Sequence, residues 1–124
     1  MKWIVEFCDE FVGEFESFGE EIQDELLAHA RLLERFGPTL GRPYVDTLKG
    51  SRISNMKELR FVVGRDVWRV AFAFDPKRKA ILFVAGNKAG ANQKRFYEKL
   101  IIIADKRYEK HLRRLRLNDE QRFK

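Results

Sequence analysis

The sequence contains little that would support metal or disulfide chemistry: one cysteine, Cys8, and two histidines in 124 residues. A single cysteine excludes an internal disulfide framework and a metal site built only from cysteines. The sequence shows no metal-ligand cluster and no glycine-rich phosphate loop of the P-loop type, so we expect no cofactor. The apolar start, MKWIVEFC, is too short for a signal peptide, and no segment approaches the length of a membrane span. We therefore expect a cytoplasmic protein with no membrane partner.

The composition indicates one globular domain with an uneven charge. Hydrophobic residues make up 44% and aromatic residues 13% of the chain, which supports a single packed core. Residues 1–36 contain 10 acidic and 3 basic residues, whereas the remainder contains 9 acidic and 22 basic residues. A basic surface of this kind favours a polyanionic partner such as RNA, DNA or an anionic membrane surface.

Residues 56–75, MKELRFVVGRDVWRVAFAFD, have the alternating pattern of two strands joined by a tight turn. A two-residue loop at Gly64-Arg65 would place the large apolar side chains of both strands on one face. It would also place Arg60 directly opposite Arg69. A slip of one residue would expose half of the aromatic side chains, so this register is favoured.

The facing arginines are compatible with an anion site. Two like charges opposite each other destabilise a strand pair, and Ala71 and Ala73 on the same face are expected to leave room above the sheet. Two guanidinium groups on an open sheet face suit a phosphate. The alternative is that Arg60 pairs with Glu58 or another carboxylate and only solvates the sheet.

The first third of the chain predicts a strand followed by helices. Residues 2–7 alternate as a short strand, and apolar residues then recur at helical spacing up to Phe36. Asp9 is the predicted N-cap, and Gly19 predicts either two helices or one bent helix. Residues 37–55 lack periodicity and are predicted to be a long loop.

The C-terminal half predicts a buried strand and a final helix. The run that begins at Ala80 is apolar on both faces, as in a strand covered on both sides, and Lys88 follows its end. Asn92 is the predicted cap of the last helix. We expect one domain over residues 1–115 and a basic C-terminal tail over residues 116–124. The basic stretch from Lys106 onward is expected to be partly disordered and either follows a phosphate backbone or only solubilises the end of the chain.

Three segments together resemble the HigB-like branch of the RelE/ParE toxin superfamily, whose members occur in type II toxin–antitoxin systems and in prophages. These segments are KELRF, WRVAFAFDPKRKAILFVAGNK and RFYEKLIIIADKRYEKHL, and the resemblance covers roughly residues 44–112. It implies an α+β domain in which a small, mostly antiparallel β-sheet packs with N-terminal helices and a C-terminal helix.

The resemblance also implies an activity and partners. RelE-like and HigB-like toxins are endoribonucleases that cut mRNA in the ribosomal A site without a metal, by attack of the ribose 2′-hydroxyl on the neighbouring phosphate. Their partner is an antitoxin, for HigB usually a HigA-like helix-turn-helix protein. ParE-like relatives inhibit gyrase instead, and a non-catalytic domain that binds RNA or an antitoxin is a third possibility.

The resemblance implies candidate site residues as well. By position, Arg60 and Arg69 match the family's basic sheet residues, and Lys88 matches its basic position after the last strand. Tyr97 is a candidate for a hydroxyl or base-stacking role, with simple packing as the alternative. His111 is a candidate acid or base, with an ordinary surface position as the alternative. We further expect four basic side chains to contact the RNA backbone: Arg52, Arg65, Lys94 and Arg95.

Overall fold

The computed structural model describes residues 2–90 and 92–122, except for the side chain of Arg122. The elements in chain order are β1 (Ile4–Phe7), α1 (Asp9–Glu16), α2 (Glu20–Phe36), a 3₁₀ turn (Gly37–Thr39), β2 (Val45–Thr47), β3 (Lys57–Val63), β4 (Asp66–Phe74), β5 (Lys79–Asn87) and α3 (Gln93–Arg122).

The strands form one five-stranded sheet in the order β1-β5-β4-β3-β2. β1 pairs with β5 in parallel, and the other three pairings are antiparallel. With its N-terminal helices and a C-terminal helix, this sheet confirms the predicted α+β fold.

The hairpin of β3 and β4 has the predicted register. Gly64 adopts φ 61°, which the tight turn requires, and Phe61 lies opposite Trp68. Arg60 lies directly opposite Arg69, so both side chains project from the same face of the sheet. The central geometric prediction from the sequence is therefore confirmed.

Helices cover both faces of the sheet and create two apolar clusters. Phe11, Leu26 and Leu33 of α1 and α2 pack with the inward side chains of β3 and β4. On the opposite face α3 contributes its own buried side chains, which include Leu100 and Ala104.

The second cluster corrects one expectation. Ala71 and Ala73 are fully buried in the same cluster as Leu100 and Ala104 of α3. The small side chains therefore admit a closely packed helix and do not leave room for a ligand. Any open surface near the arginines must lie closer to the beginning of α3.

The N-terminal region follows the prediction with two corrections. The helical pattern breaks into α1 and α2 around Gly19, but α1 is preceded by Cys8 at the N-cap, and Asp9 lies in its first turn. Residues 37–55 are not all loop, because they include the 3₁₀ turn and the edge strand β2, whose Val45 pairs with Leu59. A three-residue strand is too short to show a clear alternation in sequence.

α3 begins as predicted and is long. The side-chain oxygen of Asn92 accepts hydrogen bonds from the backbone N–H groups of Lys94 and Arg95 at 2.9 and 3.3 Å. The helix continues without interruption to Arg122, so the part of the predicted tail from 116 to 122 is helical. Residues 123 and 124 of that tail lie outside the described residues.

Arg107, a partly buried arginine, connects α3 to α1 and β5. Arg107 donates to both carboxylate oxygens of Glu14 in α1, at 2.8 and 2.6 Å, and to the backbone oxygen of Phe83 in β5 at 2.7 Å. The Glu14 carboxylate raises the pKa of Arg107, which therefore keeps its charge. This contact fixes the height of α3 over the sheet and so positions the first turns of the helix.

Candidate active site

A cleft of about 300 Å³ lies between the short β2–β3 edge of the sheet and the beginning of α3. Its walls include Asp46 from β2, Glu58 and Arg60 from β3, and Tyr97 from α3. The cleft thus forms where α3 stops covering the sheet, next to the facing arginines.

Arg60 is paired with a carboxylate, as the alternative reading of the sequence proposed. Its Nε and Nη2 lie 2.8 and 2.6 Å from Oε1 of Glu58, and Nη2 lies 3.6 Å from the Asp46 carboxylate. The hydrogen bond to Glu58 raises the pKa of Arg60, so the guanidinium is permanently charged. With 37% of its side chain exposed, Arg60 still faces the solvent in the cleft.

Arg69 has a very different environment. It is only 9% exposed, and its one hydrogen bond joins Nη1 to the backbone oxygen of Val67 at 3.3 Å. The guanidinium carbon lies 5.8 Å from the ring centre of Phe96 and 5.6 Å from that of Tyr97. Among the described residues, the Nε atom has no hydrogen-bond partner and no carboxylate forms a salt bridge with Arg69. A buried cation without a counter-ion is costly to the stability of the fold.

Glu58 and Tyr97 complete the polar group beside the arginines. Glu58 is 2% exposed, and the Tyr97 hydroxyl donates to its Oε1 at 3.3 Å, whereas its Oε2 has no partner. Burial and the neighbouring Glu58 carboxylate raise the pKa of Tyr97, so its phenol remains protonated at neutral pH. Sequence reasoning considered Glu58 only as a partner of Arg60. Glu58 lies two residues before Arg60 and therefore on the same face of the strand, which could have indicated that it belongs to the site.

Lys88 lies at the same end of the sheet. It follows Asn87, the residue of β5 that pairs with Trp68, and the adjacent pair is Arg69 with Gly86. The Lys88 ammonium donates to the side-chain oxygen of Gln93 at 3.1 Å, and Gln93 itself lines the cleft. The structure therefore brings Arg60, Arg69, Lys88 and Tyr97 to one end of the domain.

His111 lies elsewhere. It comes 14 positions after Tyr97 on the same helix, which corresponds to about 21 Å along the axis. Its Nε2 lies 2.8 Å from Oδ2 of Asp75, a carboxylate whose side chain is fully buried. Both residues line a separate cavity of about 230 Å³ with Cys8 and Arg107. The structure does not bring His111 to the cleft.

The four residues predicted to bind the RNA backbone lie at three places. Arg65 is exposed in the hairpin turn, and Lys94 and Arg95 are exposed in the first turn of α3, near the cleft. Arg52 instead lies beside the middle of α3, where its Nη2 is 2.6 Å from Glu109. Arg52 is therefore the only one of the four that lies away from the first turn of α3 and the hairpin turn.

No group of three or more His, Cys, Asp or Glu side chains in residues 2–90 and 92–122 could hold a metal ion. Within the same residues, each helix is too short or too polar to cross a bilayer.

Comparison with known proteins extends the resemblance noted above. Two proteins of Mycobacterium tuberculosis are similar to this chain. The one named "Putative toxin HigB2" is 47% identical over 93 residues, which cover 74% of this chain and 46% of that protein. The one named "Putative toxin HigB3" is 56% identical over 81 residues, which cover 65% of this chain and 68% of that protein. The chain thus spans about half the length of HigB2.

A family model gives the broadest match. The model described as "Phage derived protein Gp49-like (DUF891)" matches residues 13–109, which include the sheet from β2 to β5, both central arginines and most of α3. The predicted kinship with HigB-like, phage-derived toxins is confirmed by this match together with the two relatives. The chain belongs to the Gp49-like family of phage-derived proteins.

Proposed function

We propose that this protein is the toxin of a type II toxin–antitoxin system and that it inhibits translation by cleaving mRNA in the ribosomal A site. The observation that carries the proposal is the pair of facing arginines, one of which is a buried cation with no carboxylate of its own among the described residues. The names of the two mycobacterial relatives support the toxin assignment.

The proposed reaction is a transesterification. The 2′-oxygen of the ribose forms a bond to the adjacent phosphorus, and the bond from phosphorus to the 5′-oxygen breaks. Negative charge grows on the phosphate oxygens in the transition state. Arg60 and Arg69 stabilise that charge because they are held in place before the substrate arrives, and fixed cations in a partly buried site act strongly.

The remaining residues at this end of the domain have supporting roles. Lys88 adds a third positive charge at the end of β5. Tyr97 lies beside Arg69 and donates its hydroxyl to Glu58, and because it lines the cleft its ring could also contact an unstacked base. The exposed side chains of Arg65, Lys94 and Arg95 extend a basic rim along which the RNA backbone can lie. His111 has no role in this reaction, because it lies about 21 Å away along α3.

The proposal includes two kinds of partner. The substrate is mRNA bound to the ribosome in the cytoplasm. The inhibitor is a HigA-like antitoxin with a helix-turn-helix DNA-binding domain, encoded beside the toxin. No cofactor has a role in the proposed reaction.

The test uses purified ribosomes carrying a defined mRNA with an empty A site. Wild-type protein should cleave the mRNA and leave a 2′,3′-cyclic phosphate on the upstream fragment. Arg60→Ala, Arg69→Ala and Lys88→Ala should each cleave at least about 100-fold more slowly, because each removes a fixed positive charge from the transition state. Arg113→Ala, which removes an exposed positive charge from the far part of α3, is the matched control and should cleave normally.

Two results would contradict the proposal. One is cleavage at the wild-type rate by all three folded variants, which would place the site elsewhere. The other is an intact mRNA together with inhibition of DNA supercoiling by gyrase, which would indicate a ParE-like toxin.

A further inference from the structure

Two buried side-chain atoms of the described residues have no hydrogen-bond partner: Oε2 of Glu58, a residue that lines the cleft, and Nε of Arg69, which lies on the neighbouring strand beside it. They belong to neighbouring strands and to side chains on the same face of the sheet, because Arg60 is opposite Arg69 and Glu58 is two residues from Arg60. One atom is an acceptor and the other is a donor. Together they offer complementary contacts to a ligand that carries both an acidic hydroxyl and an anionic oxygen.

Leaving such atoms unpaired reduces stability. A buried polar group without a partner destabilises the folded state, and a charged one does so more strongly. Glu58 is also a poor choice for a strand on propensity alone, since glutamate is depleted in strands. Arg60 and Tyr97 account for one carboxylate oxygen, Oε1, but this structural role leaves Oε2 without an explanation.

We propose that Glu58 is a catalytic residue of the reaction proposed above, on which this inference rests, and that it accepts the proton of the attacking ribose hydroxyl. The O–H bond of the 2′-hydroxyl breaks, its proton moves to Oε2 of Glu58, and its electron pair forms the new bond to phosphorus. The 5′-oxygen leaves with the electron pair of the broken bond and takes a proton from water. The proton on Glu58 then returns to solvent.

The other polar groups of the cleft are less suited to this step. Arg60 stays charged and has no free electron pair, and the raised pKa of Tyr97 keeps its phenol protonated. Asp46 is the other carboxylate of the cleft, but a hydrogen bond from the backbone N–H of Thr47 lowers its pKa and makes it a weaker proton acceptor. Glu58 alone among them combines a carboxylate with an unused oxygen.

Arg60 explains how the carboxylate is held before the RNA arrives. In the free protein Arg60 contacts Oε1 of Glu58, so the charge of the buried carboxylate is balanced. Because 37% of its side chain is exposed, Arg60 can bind the scissile phosphate without releasing Oε1 of Glu58. Oε2 of Glu58 remains unpaired and is the oxygen available to the 2′-hydroxyl.

The experiment compares wild type with Glu58→Gln on ribosome-bound mRNA under single-turnover conditions. Glutamine has the same shape but cannot accept the proton, so we expect the cleavage rate to fall by about 10²–10⁴-fold. RNA binding should be unchanged or tighter, because a negative charge near the phosphate is removed. Glu21→Gln removes an exposed carboxylate from α2, on the opposite face of the sheet, and is the matched control, with cleavage expected at the wild-type rate.

A modified substrate separates a base from other roles. In mRNA whose leaving 5′-oxygen is replaced by sulfur, departure of the leaving group needs no proton. The defect of Glu58→Gln should persist on this substrate if the carboxylate acts on the 2′-hydroxyl. Recovery of the variant on the sulfur substrate would overturn the proposal, since it would assign Glu58 to the leaving group.

A second variant covers the case in which Glu58→Gln does not fold. Glu58→Asp keeps the carboxylate but withdraws it by one methylene, so the rate should fall while the rise of rate with pH that marks a deprotonated base is retained. If wild type cleaves and Glu58→Gln or Glu58→Asp is folded and equally fast, the inference about Glu58 is wrong and the proposed function stands. If wild type itself does not cleave, the proposed function is wrong and the inference falls with it.

Discussion

Arg69→Met should separate function from stability. The side chain of Arg69 is 9% exposed, and its contacts are one long hydrogen bond to Val67 and the faces of two aromatic rings. The hydrogen bond contributes about 1 kcal/mol. Each ring contributes about 0.5–1 kcal/mol. These gains of roughly 2–3 kcal/mol oppose the desolvation of a buried, unpaired cation, which is several kcal/mol.

Methionine keeps the length and apolar character of the stem but removes the charge. We therefore expect the free energy of unfolding of Arg69→Met to stay within about 1 kcal/mol of wild type or to rise. The loss of one preorganised charge at the transition state should slow mRNA cleavage by about 10²–10³-fold, equivalent to roughly 2.7–4 kcal/mol. Urea unfolding followed by tryptophan fluorescence and single-turnover cleavage measure the two quantities on the same sample. A fall in stability of more than about 2 kcal/mol with unchanged cleavage would refute this reasoning, because Arg69 would then be structural.

Three other changes test the fold and the limits of the site. Arg107→Met should lower the unfolding free energy by about 2–3 kcal/mol, because it removes charged hydrogen bonds between α3, α1 and β5. In the same denaturation assay Lys110→Met, which removes an exposed ion pair, should change it by less than about 1 kcal/mol. His111→Ala should lower stability by about 1–3 kcal/mol, because Asp75 loses a buried partner, yet leave ribosomal cleavage intact. Loss of cleavage in a folded His111→Ala protein would show that His111 takes part in the reaction. The pKa of Tyr97 is higher in the folded state than in the unfolded state. The contribution of Tyr97 to the free energy of unfolding is therefore complete below the unfolded-state pKa of about 10 and decreases as the pH rises above it. Wild type should therefore lose stability more steeply above pH 10 than Tyr97→Phe, as measured by denaturation at each pH.

The features that were predictable from sequence are local and periodic. The alternation of β3 and β4 and the glycine at their turn were sufficient to predict the facing of Arg60 and Arg69. The cap at Asn92 and the break at Gly19 likewise depend on residues that are close in sequence.

The features that were missed depend on how distant elements pack. Nothing near Ala71 in the sequence indicates that α3 fills the space above it. His111 is separated from the arginines because α3 is long and leads away from them. The number of basic residues in the sequence predicts neither the length of the helix nor its direction. The sequence indicated the pairing of Arg60 with Glu58 only as an alternative to anion binding. The unused oxygen of Glu58 became visible only when every contact of the carboxylate was known.

Mapping mRNA 5′ ends in cells that express the protein is the most direct test of its central chemistry. Wild type should create new 5′-hydroxyl ends within translated reading frames soon after induction, and a protein with both Arg60→Ala and Arg69→Ala should not. New ends that appear equally with the double variant, or growth arrest by wild type with no new ends, would contradict cleavage at the paired arginines.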